Sequence, residues 1–164
     1  MYTLKYLSEW PIYYYLKIAC LNKYKFYTFG MKDPVAQRHE YGCGAACVAF
    51  VTNDSYENVV NKLGTRNAIS KGFYCKELVS VIGEGYSFGY IKTSMRKRIY
   101  VDNVIVFIKR SKRYPAGHYL ARHNNQWMDP WINFNQTKDI RYTKAGFRKR
   151  LPGKPIYYIF TEEQ

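Results

Sequence analysis

The spacing of apolar residues along this chain changes once, near Gly83, and that change restricts the possible folds more than any other feature. Before it, the spacing is helical. "CGAACVAFV", from Cys43 to Val51, reads as a buried helix that Gly42 and Gly44 allow to start sharply and Asn53-Asp54 ends. Tyr56, Val59, Val60 and Leu63 fall at i, i+3, i+4 and i+7, with Asp54 or Ser55 as cap and Gly64 as stop, so a second helix is predicted. Cys75, Leu78, Val79 and Ile82 make a third stripe, closed by Gly83. Beyond Gly83 the helical spacing disappears. "YSFGYIKT" reads as a short strand, "RKRIYVDN" as a partly extended basic connector, and "VIVFIKR" (104–110) as a central strand. "AGHYLARHN" and "QWMDP" read as a hairpin turning at Asn124-Asn125, and "PIYYIFTE" as a last strand. Helices followed by hairpin-linked strands predict an α+β fold, with the helical half packed on a C-terminal antiparallel sheet.

The first 30 residues do not share this pattern. They are crowded with Tyr and show no clear period, and the loop "GMKDPVAQRHE" separates them from the rest. The expected organisation is an N-terminal extension over 1–30 that lies outside the native domain, with Met31 as an alternative start, and one domain over 31–164. A domain of that length buries a core without disulfide or metal staples. The apolar run Trp10–Leu21 is too short to span a bilayer, and no signal peptide is evident, so no stable membrane insertion is expected.

Cysteine usage points the same way. The four Cys, at 20, 43, 47 and 75, show no disulfide framework. His39 is near Cys43 and Cys47, but no fourth ligand is placed beside them for zinc. Reduced thiols, a cytoplasmic location and no metal or cofactor are expected.

Cys43 stands at the start of its helix, where the positive end of the helix dipole favours a thiolate. Cys47 lies one turn inside, among Ala46, Val48 and Phe50, as a small packing residue. Packing is also the alternative for Cys43. Gln37, six residues upstream, is either a surface loop residue or an amide whose NH2 joins the Cys43 N–H in an oxyanion hole. A thiolate enzyme needs a base. His39 sits in the loop before the helix, and His123 abuts the Asn-Asn turn. His118 follows the small residues Ala116-Gly117 and is the preferred candidate. Asp129, on the return strand of the hairpin, falls toward the level of His118. It is either an acceptor that orients the imidazole or a turn residue before Pro130.

Taken together, "Q-x5-C-G-x-A-C" followed by "GHYL" and "DP" resembles the papain-like cysteine peptidases. It is most similar to the bacteriocin-processing domain that removes double-glycine leader peptides, and to its stand-alone relatives. The resemblance spans about residues 35–131. It implies a papain-like fold and a peptide or protein substrate. It also implies Cys43 as nucleophile, His118 as base, Asp129 as its orienting residue and Gln37 in the oxyanion hole. Gly42 departs from the family pattern, which carries an acidic residue before the nucleophile. No transporter domain is expected after residue 164, and the leader-peptide specificity is not expected to transfer.

The charge is the remaining signal. The chain carries a formal +14, and residues 91–164 hold 16 Lys and Arg against 5 Asp and Glu. "TSMRKRIY", "KRSKRY" and "FRKRLPGKP" are basic clusters with aromatic neighbours, on separate segments. They leave an acidic partner or nucleic acid open as a further ligand of the C-terminal half, and a nucleic-acid-binding or nuclease-type protein on the same scaffold as the alternative function. A non-catalytic partner-binding domain is a third reading.

Overall fold

The structure, a computed structural model, describes residues 32–162. The Tyr-rich segment 1–30, with Cys20 and the Trp10–Leu21 run, lies outside the described residues. The helical half comprises α1 (Cys43–Thr52), α2 (Tyr56–Leu63), α3 (Thr65–Ser70) and α4 (Cys75–Ile82). The strands follow as β1 (Tyr86–Tyr90), β2 (Ile105–Ile108), β3 (His118–His123), β4 (Gln126–Asp129), β5 (Gly146–Arg148) and β6 (Pro155–Thr161). They form one sheet of order β1-β6-β2-β3-β4-β5, and every neighbouring pair is antiparallel. The fold is therefore α+β, helices first.

The helix ends follow from local chemistry. The Ser55 hydroxyl accepts from the Asn58 N–H at 3.1 Å and caps α2. Asn53 turns the chain out of α1 in the left-handed conformation, φ 56°. Asn124 and Asn125, at φ 45° and 60°, make the tight turn between β3 and β4 and pair His123 with Gln126.

The sheet buries both faces. Tyr119, Ala121 and Met128 pack with Val48, Phe50 and the other helices on one side. Val106, Leu120, Trp127 and Tyr158 form a second core on the opposite side. Alternation along β3 and β4 divides the two sets.

Three elements differ from the sequence pattern. α3 was absent from it because only Ala68 of its six residues is buried, so it has no stripe. β5 has three half-buried residues, too few for alternation to register. The connector "RKRIYVDN" is not extended. Residues Thr93–Tyr100 wind into a 3-10 helix, which swings the buried Ile99 onto the second core and leaves its cations in solvent. Among the described residues, no helix is long and apolar enough to cross a membrane.

Candidate active site

Cys43 is the first residue of α1, and His118 is the first residue of β3. Each element presents its leading end to the same cleft, of about 760 Å³. The N–H groups of the first helical turn have no intrahelical acceptor. Gly42, the residue before Cys43, supplies no side-chain cap, so those donors are not taken up by it. Gly42 has a steric origin: a Cβ there would run into the hydroxyl of Tyr56, whose ring is buried against the loop. That hydroxyl in turn hydrogen-bonds His39 Nδ1 at 3.0 Å. His39 therefore belongs to the loop's own support.

His118 is held from three sides. Its Nε2 hydrogen-bonds Asp129 Oδ1 at 2.8 Å. The Cys43 side chain is the ring's other polar neighbour in the cleft and, with Asp129, raises its pKa; with Nε2 occupied by Asp129, Nδ1 is the nitrogen left to face it. The Tyr114 ring stacks on the imidazole at 5.0 Å between centroids, and Phe134 stacks on Tyr114 at 5.5 Å. Gly117, at φ 80°, allows the approach to β3, because any Cβ there would collide with the Phe107 ring.

Asp129 is wholly buried and fully used. Beyond His118, Oδ1 accepts from the Trp131 N–H at 2.9 Å, and Oδ2 accepts from Arg148 Nε. Arg148 also donates from Nη2 to the Ile132 carbonyl at 2.7 Å. Burial works against a carboxylate, but the His118, Arg148 and Trp131 donors hold Asp129 below the usual Asp range. Burial also works against the imidazolium. The Asp129 carboxylate and the Cys43 side chain outweigh it and push the pKa of His118 up to about 9. The ring therefore carries its proton at neutral pH.

Gln37 lines the same cleft and is 2% exposed, so it is not a surface loop residue. Its Nε2 donates to the carbonyls of His39 and Glu40, both at 3.0 Å, so both amide hydrogens are engaged. The expected free NH2 aimed at an oxyanion is not what the structure shows. Its backbone N–H donates to the Pro130 carbonyl at 3.3 Å, which ties the loop before α1 to the turn after Asp129. Two buried polar atoms of residues that line the cleft, Gln37 Oε1 and Trp131 Nε1, have no hydrogen-bond partner among the described residues.

The other thiols differ from Cys43, which is half-buried. Cys47 is enclosed in the core, and burial, followed by the charges of Cys43 and Asp129, pushes its thiol well up. Cys75 reaches the cleft wall but is 8% exposed, lies 3.5 Å from the Tyr119 hydroxyl, and is pushed up by burial. His123 packs edge-on against Phe50 and faces Asp102 at 3.8 Å, away from the cleft. The residues that the sequence reading missed are Tyr114 and Arg148. Tyr114 follows a basic run, and Arg148 sits on a strand too short to recognise.

No protein-family profile matches this sequence. No curated protein matches it either. Among solved structures, the peptidase domain of Streptococcus ComA, a bi-functional ABC transporter involved in a quorum-sensing pathway, is similar at TM-score 0.49 and 18% identity, over 79% of this chain and 97% of that one. Chemistry is carried by the side chains around Cys43, not by a likeness of that size. Among the described residues no group of three or more His, Cys, Asp and Glu is placed to hold a metal ion.

The cleft walls are aromatic, with Tyr74, Phe107, Trp131 and Phe134 among them, and the rim is basic. Lys71, Lys76, Arg110 and Lys138 line it, against Glu40 as its one carboxylate.

Proposed function

We propose that residues 31–164 form a papain-like cysteine peptidase domain that cleaves a peptide or protein by acyl transfer. One observation carries this reading: the His118 ring, hydrogen-bonded to the buried Asp129 carboxylate, lines the same cleft as the Cys43 side chain, and both neighbours raise its pKa. A packing cysteine has no need of such a neighbour. The bacteriocin-processing relatives supply the motif likeness, and Gly42 sets this chain apart from them.

The chemistry follows from the arrangement. The Cys43 thiolate attacks a substrate carbonyl carbon and forms the C–S bond. The carbonyl oxygen becomes an oxyanion, which the Cys43 N–H at the helix mouth stabilises. Gln37 can add a second donor only by releasing the His39 or Glu40 carbonyl. The imidazolium of His118 gives its proton to the leaving amine as the C–N bond breaks. Neutral His118 then takes a proton from water, and the hydroxide equivalent attacks the thioester, frees the acid and returns the thiolate. Asp129 fixes the ring orientation throughout. A free thiol at this position suits the reducing cytoplasm expected from cysteine usage.

The test is alkylation by iodoacetamide, followed residue by residue by mass spectrometry over pH. Cys43 is expected to react fastest of the thiols, and its reaction to slow at least tenfold in His118→Ala. Equal reactivity of Cys43 and Cys75, unchanged in that variant, would remove the basis for an enzyme.

A further inference from the structure

Two of the basic clusters, separate in sequence, are brought together on the sheet face away from the helices. The 3-10 helix Thr93–Tyr100 is pinned there by Ile99, and the loop after β5 by Leu151, both packed in the same core as Trp127. Between them runs a groove of about 890 Å³. Lys92 and Arg96 line it from the first segment, and Lys149, Arg150 and Lys154 from the second. All five are exposed, and among the described residues none forms an ion pair. No Asp or Glu among the described residues lines the groove, which shares no lining residue with the cleft beside Cys43.

Like charges gathered around one concavity repel each other, and a bound anion relieves that repulsion. The groove is also aromatic. Tyr90 and Tyr100 line it with 58% and 55% of their surface exposed. Tyr100 is backed by the buried Trp127, its ring 5.9 Å away at 67°. The Arg122 guanidinium lies 5.3 Å from Tyr100 and 5.0 Å from Trp127 and stiffens that pair. Tyr90 borders the groove, but it pairs with Tyr157, a residue of the cleft wall, and packs its ring against that one at 5.7 Å, so Tyr100 is the ring that the groove itself presents. A supported ring with an open face beside cations is what a strand of bases and phosphates requires. An acidic peptide needs the cations but gains nothing from an open ring.

We infer that this groove binds single-stranded nucleic acid, with phosphates on Lys92, Arg96, Lys149, Arg150 and Lys154 and a base stacked on Tyr100. The site does not depend on the chemistry of Cys43.

The test is fluorescence anisotropy of labelled oligothymidylate and oligouridylate with the full chain, titrated at several salt concentrations. Affinity is expected to fall steeply with salt. The Lys149→Ala/Arg150→Ala pair should flatten the log–log slope by about 1.4, because each phosphate contact on a single strand contributes about 0.7. Tyr100→Ala should weaken binding roughly 5- to 150-fold, the range expected for one base stack, while Tyr100→Phe keeps it. The pair Lys62→Ala/Lys144→Ala, which removes the same charge outside the groove, should lose far less. Equal loss in that control pair, or no loss in Tyr100→Ala, would overturn the assignment. So would displacement of the oligonucleotide by a poly-glutamate peptide of matched charge at the same concentration, which would identify the groove as an acidic-protein site.

Discussion

His118 Nε2 and Asp129 Oδ1 lie 2.8 Å apart although their backbones are not directly paired. β4 pairs Met128 with Ala121, so Asp129 stands level with Leu120 and reaches His118 diagonally, on the same face of the sheet. This leaves Nδ1 for the thiol and makes the carboxylate the chief counterweight to burial of the charged ring. The Asp129→Asn variant should therefore lose the imidazolium at lower pH. The alkaline limb of the kcat/KM profile, near pH 9 in the native chain, should move down by about a unit or more, with kcat/KM itself falling at least tenfold. An unchanged limb would mean that Asp129 does not set the charge of the ring.

Stability should respond to the same ring. The folded pKa of His118 is raised to about 9 from an ordinary 6.5, so its contribution is complete below about pH 6.5 and is lost as pH rises to about 9. Asp129 has the opposite sign: its pKa is lowered, so its contribution is present above about pH 4 and is lost in acid. Urea midpoints measured from pH 6 to 10 should decline for the native chain, and the His118→Ala variant should decline less over that interval.

Cys43→Ala should abolish turnover and leave the melting temperature within a few degrees of native, since the side chain is half-buried at the helix mouth. Cys47→Ala should retain turnover and lose about 1 to 2 kcal/mol by calorimetry, because the sulfur leaves a small cavity in a closed core. A Cys47→Ala variant without activity would reverse the roles assigned to the two thiols.

Gly42→Ala should destabilise the chain by about 1 to 3 kcal/mol, because the new methyl meets the Tyr56 hydroxyl. Tyr56→Phe removes the oxygen and the hydrogen bond to His39. Combined, the two substitutions should cost less than the sum of the singles, and denaturant titration of all four chains measures that coupling.

The helices α2 and α4 were legible because their apolar stripes recur at helical spacing, and α1 because a continuous small and apolar run, buried on every side, lies between Gly42 and Asn53. The hairpin was legible from Asn124-Asn125. The pairing of Cys43 with His118 was less so. Simple alternation points His123, not His118, toward α1, and His123 does touch Phe50. His118 meets Cys43 because both lead their elements at one end of the sheet, which depends on tertiary placement. Arg148 was illegible for the same reason, since Asp129 lies 19 residues away, and Tyr114 because the loop path that folds its ring back onto His118, four residues on, and under Phe134 has no period to read. Gln37 was legible as a residue near the site, while the two carbonyls that hold its amide come from the path of the loop, which no spacing encodes.

The order in which these parts leave the ribosome has a consequence. Cys43 is made early, its base 75 residues later, and Arg148, which braces Asp129, later still. The bond from the Gln37 N–H to the Pro130 carbonyl joins the loop before Cys43 to the turn after Asp129 only once the hairpin has been made. A chain interrupted during synthesis before β5 holds Cys43, His118 and Asp129 but not the Arg148 donor that braces the carboxylate.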